Sequence, residues 1–172
     1  MSRRVPRGGG EVPPLDAAAL DRLALAYVGR YATTRAKLAQ YLRRKLSVRG
    51  WVGEEPAPVE AVVARVAALG YVDDTAFAEQ RSAALARRGY GARRVREALR
   101  HAGVEGEAAE AGEEEALAAA LAFARRRRIG PFATEERDPD QRRRDLAAMM
   151  RAGHALDVAR RVVRARPGEE IE

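Results

Sequence analysis

The chain has 172 residues, of which 47% are hydrophobic and 33% charged, and its formal net charge is +7 at pH 7. It contains no cysteine, which excludes disulfide bridges, thiolate metal sites and cysteine nucleophiles. Alanine, the best helix former, supplies much of the hydrophobic fraction, whereas strand-favouring isoleucine and phenylalanine are rare. Composition therefore predicts an all-α protein.

The N-terminal segment, residues 1–15, combines arginines with a run of three glycines and two adjacent prolines. It lacks the apolar core of a signal peptide, so we expect a disordered basic tail on a cytoplasmic protein. The longest apolar stretch, Ala116 to Ala124, is far shorter than the roughly 20 residues that span a bilayer. We therefore expect no membrane contact.

Three helices are predicted in the first group, residues 16–72. Asp16 is the expected cap of the first helix, Thr34 begins the second, and Gly70 ends the third. Apolar side chains recur along each at the spacing of one buried helix face. They are Leu20, Leu23, Ala24, Tyr27, Val28 and Tyr31, then Leu38, Tyr41, Leu42 and Leu46, then Val59, Val62, Val63, Val66 and Leu69.

A second group of three helices is predicted over residues 73–112. Asp73 and Asp74 precede an apolar helix, where two carboxylates are typical of a cap and not of a metal pair. This fourth helix ends at Gly89 and the fifth at Gly103, since glycine is common just after a helix. A weak sixth helix is expected in the Glu-rich segment 105–111.

The third group, residues 113–166, repeats the pattern. Its first helix carries apolar residues up to Ala124, and Asp138 followed by Pro139 is a typical helix start. Gly153 separates this helix from the last one, which ends before Pro167. Residues 167–172 are expected to form a second disordered tail.

The middle helices of the three groups share one apolar pattern. Equivalent positions, four residues apart, are Leu38 and Leu42, Val95 and Leu99, and Leu146 and Met150. We therefore predict three tandem three-helix repeats, resembling helix-turn-helix units, in an elongated arrangement. The alternative is a single irregular helical globule.

Positive charge is concentrated in three stretches, residues 30–49, 81–101 and 142–166, which contain many arginines and few acidic residues. Solvated helix faces usually carry mixed signs, so these stretches indicate surfaces for an anionic partner. A GC-rich genome would explain the preference for arginine over lysine, but not the positive net charge.

Catalytic chemistry has little support in the sequence. The two histidines, His101 and His154, lie at predicted helix ends, where a surface side chain interacting with the helix dipole is expected. No Gly-rich phosphate loop, nucleophile elbow or His-rich metal spacing occurs. We therefore predict no enzyme, with no catalytic residues, no metal and no cofactor.

The aromatic side chains divide into two sets. Tyr27, Tyr31 and Tyr41 fall on apolar helix faces and are expected in the core. Tyr90 and Trp51 lie in predicted turns, where packing across the turn is favoured over stacking on a base or anchoring a partner.

Two motifs in the second group carry a family resemblance. They are Val72-Asp73-Asp74-x-x-Phe77-Ala78 and Gly89-Tyr90-Gly91-x-x-Arg94-Val95-x-x-x-Leu99-x-x-x-Gly103-Val104. Together with three tandem units, they resemble the RecX family of bacterial recombination regulators over about residues 17 to 165. The structural signature residues are Asp73, Asp74, Phe77, Gly91, Leu99 and Gly103. Where relatives usually place an aromatic and then a hydroxyl cap, this chain has His154 and Ala155.

The resemblance implies a monomeric protein that binds the RecA recombinase filament, lies along its groove and suppresses ATP hydrolysis and strand exchange. ATP would then belong to RecA and not to this chain. The basic clusters of the first two groups lack acidic neighbours that could neutralise them, so we expect them to bind the partner. The candidate residues are Arg35, Lys37, Arg43, Arg44, Lys45, Arg87, Arg88, Tyr90, Arg93 and Arg94.

Two other functions remain open at this point. Direct binding of single- or double-stranded DNA is the first, because basic helices of helix-turn-helix-like units could lie on phosphates. The middle helices offer mainly arginine and alanine, however, and few of the side chains that read bases. The second is a structural scaffold, which would not require charge of one sign on equivalent helices.

Overall fold

The computed structural model describes residues 13–104 and 112–171. These residues form eight α-helices and one 3-10 turn, with no strand among them, so the predicted all-α fold is confirmed. The helices are α1 Ala17–Val28, α2 Arg35–Arg49, α3 Val59–Ala68, α4 Asp74–Arg87, α5 Ala92–His101, α6 Glu113–Arg127, α7 Pro139–Arg151 and α8 Leu156–Arg164. The helix predicted at 105–111 lies outside the described residues.

Three of the predicted helix starts are confirmed by side-chain caps. Asp16 accepts a hydrogen bond from the Ala19 N–H at 2.7 Å, and Thr34 accepts one from the Lys37 N–H at 3.2 Å. Asp138 and Gln141 form a reciprocal capping box ahead of α7. Each cap satisfies backbone donors that a helix leaves unpaired, which fixes where the helix begins.

The chain divides into two compact units, the first ending at Asp73 and the second beginning at Asp74. In the first unit, α1, α2 and α3 surround one core. Its fully buried leucines each contribute roughly 1.5–3 kcal/mol by leaving water. They are Leu15, Leu20, Leu38 and Leu42, packed against Val59, Val62, Val63 and Val66 of α3.

Leu15 was expected in the disordered N-terminal tail, but it is fully buried. Its N–H donates to the Gly50 carbonyl at 3.0 Å, and its carbonyl accepts from the Val52 N–H at 2.9 Å. The Arg49 side chain also donates to the Pro13 carbonyl. Residues 13–16 are therefore part of the first unit, because the Leu15 side chain is buried in its core.

The ends of two predicted helices in the first unit are wrong. α1 stops at Val28, so Tyr31 lies beyond it and is 57% exposed instead of being a core residue. α3 stops at Ala68, and Leu69 is exposed as well. In both cases the apolar spacing continues past the point where the backbone leaves the helix.

The second unit contains two separate apolar clusters. Leu85, Val95 and Leu99 bring α4 and α5 together, with Tyr90 packed against them. A larger cluster joins α6, α7 and α8 around Ala120, Ala124, Ile129, Met149, Ala159 and Val162.

The third group departs from its predicted pattern in two places. Met149, one of the apolar residues predicted for this helix, is fully buried, whereas Leu146 and Met150, the positions matched to the other middle helices, are only half-buried at the margin of the cluster. Residues 167–171 are not a free tail, since Ile171 packs on this cluster and the Gly168 N–H donates to the Pro131 carbonyl at 2.9 Å.

Candidate functional site

The signature residues of the second group build the start and end of a helix pair. Asp74 is the first residue of α4, and its negative carboxylate there stabilises the helix by interacting with the positive end of the helix dipole. Leu99 is buried between α4 and α5. Gly103, with φ at 69°, ends α5 in the left-handed region, and the Val104 N–H closes the turn onto the Leu99 carbonyl at 3.1 Å.

Gly91 lies in the turn before α5, and this turn contacts the turn between α7 and α8. The Gly91 N–H donates to the Ala152 carbonyl at 3.0 Å, and the Arg93 N–H donates to Gly153 at 3.2 Å. A Cβ built on Gly91 would lie within 3.0 Å of backbone atoms of Gly153 and His154. Only glycine leaves room for this approach.

His154 reinforces the same junction and is not the surface histidine that was expected. It is 4% exposed, and its Nε2 lies 3.1 Å from the Gly89 carbonyl, to which it donates when Nε2 carries the proton. The Phe123 ring packs beside it with centroids 5.5 Å apart. Burial lowers the pKa of His154, and the bond to Gly89 opposes that shift.

The basic cluster around this turn is exposed, but part of it is engaged within the protein. Arg93 donates through Nη2 to the Met150 carbonyl at 2.7 Å, and Arg94 pairs with Glu97 at 2.7 Å. This pairing lowers the pKa of the Glu97 carboxyl. The expectation that these arginines lack acidic neighbours is therefore wrong for Arg94, whose partner lies one helical turn along α5.

Arg87 and Arg88 stand at the end of α4 with exposed side chains. The Arg88 guanidinium lies over the Tyr90 ring, 5.4 Å from its centroid. The Arg87 backbone carbonyl accepts from Arg126 Nη2 at 2.9 Å, while the Arg87 side chain is exposed. These two side chains form the exposed basic edge of the turn.

The basic cluster of the first unit lies on α2. Arg43 pairs with Glu60 of α3, which again contradicts the expected lack of acidic neighbours. Arg35 and Arg44 are exposed, and Lys37 and Lys45 are partly exposed. Lys45 Nζ lies 5.5 Å from the centroid of the Tyr41 ring.

Sequence reasoning missed two features that depend on distant residues. The first is the burial of His154, whose partner Gly89 is 65 residues away. The second is the exposure of Tyr31, which was expected in the core with Tyr27 and Tyr41, whereas those two rings are half-buried and pack against the core as predicted. The one available signal was the position of Tyr31, directly after Gly29 and Arg30.

No helix in residues 13–104 and 112–171 is both long and apolar enough to cross a bilayer. In the same residues, no three His, Asp or Glu side chains gather as a metal site.

The structure thus defines a protein of helical repeats with exposed, arginine-rich surfaces. Residues 73–112 match the family model described as RecX, second three-helix domain. The chain is 35% identical to Regulatory protein RecX of Myxococcus xanthus over 163 residues, 86% of each chain. It is 32% identical to Regulatory protein RecX of Agrobacterium fabrum over 123 residues, 68% of this chain and 66% of that protein.

The fold agrees with these relatives. The crystal structure of RecX from Lactobacillus salivarius superimposes with a TM-score of 0.59 at 16% identity, covering 83% of this chain and 91% of that one. The chain belongs to the RecX family, as the motifs around Asp73 and Gly91 predict.

Proposed function

We propose that this chain binds the RecA recombinase filament in the cytoplasm and lowers its ATP hydrolysis and strand exchange. The observation that carries the proposal is family membership across 86% of the chain. Exposed arginines in both units support it, because guanidinium groups bind carboxylates and phosphates in a bidentate manner. The chain itself hydrolyses no ATP in this proposal.

The direct test measures phosphate release by RecA on single-stranded DNA while the purified chain is added. We expect release to fall as the chain is added, and the chain alone to release none. Unchanged release at saturating protein would contradict the proposal. Inhibition that disappears when more single-stranded DNA is supplied would instead indicate direct DNA binding, the second candidate function.

The surface that meets RecA can be tested at the end of α4. Replacing Arg87→Ala and Arg88→Ala together should raise the concentration needed for half-inhibition about 30-fold, which corresponds to the roughly 2 kcal/mol of one hot-spot residue. Stability should change little, since exposed charges contribute about 0–1 kcal/mol.

The matched control is Arg22→Ala with Arg125→Ala, which removes the same charge from two exposed arginines outside the three basic stretches. It should inhibit nearly as well as the parent protein. Equal inhibition by the parent and the α4 variant would show that the end of α4 does not contact the filament. Arg93 is left unchanged in both variants because it donates to the Met150 carbonyl.

A further inference from the structure

A pocket of about 520 Å³ lies in the first unit, where the end of α1 faces α2. Three tyrosines line it, Tyr27, Tyr31 and Tyr41, together with Arg30 and Arg44. Its volume is within the roughly 300–1,000 Å³ of small-molecule sites. The wall therefore combines aromatic rings with guanidinium groups in a space large enough for a ligand.

The three rings form a continuous aromatic group. The centroids of Tyr27 and Tyr41 are 4.2 Å apart with an interplanar angle of 21°, so these rings are stacked. The Tyr31 ring is tilted by 49° against Tyr27 at 5.2 Å. Because Tyr31 is 57% exposed, it offers ring surface that no side chain of the protein covers completely.

Tyr31 is held in this position by backbone hydrogen bonds. The N–H groups of Arg30 and Tyr31 both donate to the Tyr27 carbonyl, at 3.1 and 3.0 Å. Three residues later, Thr34 is fully buried and caps α2. The short connection is thus fixed at both ends, so little ordering is required when a ligand stacks on the ring.

Positive charge surrounds the rings. Within the described part of the chain, no carboxylate forms an ion pair with Arg30 or Arg44. No acidic residue of the described ranges lines the pocket, and two acids of the same unit are paired with other arginines, Asp21 with Arg65 and Glu60 with Arg43. The pocket can therefore accept an anionic group next to a flat apolar one.

We propose that this pocket binds a nucleotide, with the base stacked on Tyr31 and the phosphate held by Arg30 and Arg44. Aromatic stacking together with guanidinium contacts is the combination that binds single-stranded nucleic acids. An acidic peptide would use the arginines but leave the exposed ring unpaired. The same chemistry can come from a free nucleotide or from one residue of a single strand.

The test uses the full chain in calorimetric titrations with dAMP, with a short oligodeoxyadenylate and with an abasic oligomer of equal length. The variants are Tyr31→Ala, Tyr31→Phe and Arg30→Ala. Tyr71→Ala is the matched control, since Tyr71 is 58% exposed in the same unit but does not line the pocket. Arg22→Ala is the control for charge, because it removes an exposed arginine of α1 outside the pocket.

We expect Tyr31→Ala to weaken nucleotide binding roughly 5- to 150-fold, the loss of one stacked base. Tyr31→Phe and both controls should bind like the parent, and Arg30→Ala should lose affinity. The abasic oligomer should bind more weakly than the oligodeoxyadenylate, and Tyr31→Ala should leave its affinity unchanged. Helical circular dichroism should be the same for all variants, because the changed side chains are exposed.

Binding of dAMP would show that a free nucleotide suffices, and binding of the oligomer alone would assign the site to a strand. The proposal is overturned if neither probe binds or if Tyr31→Ala binds the oligodeoxyadenylate like the parent. It is also overturned if a glutamate-rich peptide binds with the same dependence on Tyr31, which would make the pocket a peptide site.

Discussion

Replacing Gly91→Ala is expected to lower the free energy of unfolding by about 2–4 kcal/mol, the sum of an overpacked contact and weakened hydrogen bonds. The backbone of Gly91 is extended, with φ at −76°, so alanine can adopt its conformation without strain. The cost comes instead from the new methyl group, which would lie within 3.0 Å of backbone atoms of Gly153 and His154. Backbone cannot move aside as a flexible side chain can.

The effect is measured as the urea concentration at the midpoint of unfolding, followed by circular dichroism. Gly112→Ala is the matched control, because a Cβ at Gly112 has no atom within 4 Å. That change should cost less than about 1 kcal/mol, the difference between glycine and alanine at a helix start. If Gly91→Ala unfolds like Gly112→Ala, the close approach of the two turns is not a source of stability.

Helix starts could be predicted because their causes are local. Asp16, Thr34 and Asp138 each bond to a backbone N–H three residues ahead, so the sequence pattern contains all the participants. The end of α1 is harder to predict from the apolar pattern. The apolar spacing runs on to Tyr31, but the helix ends at Val28 and the Arg30 N–H closes a tighter turn onto the Tyr27 carbonyl at 3.1 Å.

The sequence shows which candidate residues carry positive charge. It does not show which of them form ion pairs with carboxylates of the same protein. Arg43 is exposed on α2, and its positive charge is evident from the sequence, yet its partner Glu60 comes from α3. Likewise, the motif around Gly91 identifies the family. The contact of this turn with Gly153 is visible only in the folded structure. Residues far apart in sequence meet only through tertiary packing, which no local pattern records.

His154 is expected to make the second unit less stable in mild acid. Burial lowers its pKa in the folded protein below the ordinary value of about 6.5, which the unfolded chain retains. As the pH falls, the unfolded state therefore binds the proton first. The stability from neutral His154 is complete above about pH 6.5 and is lost as the pH falls towards the folded pKa, by up to about 1.4 kcal/mol per unit of difference.

The measurement compares the free energy of unfolding at about pH 7.5 and about pH 5.5 in the parent and in His154→Phe, which keeps a ring beside Phe123 but cannot titrate. The parent should lose more stability between these values than the variant. Asp145, whose pKa is raised by burial against the attraction of Arg137, is present in both proteins, so its contribution cancels. An equal loss of stability in the parent and in His154→Phe would mean that the buried imidazole is not the group that titrates.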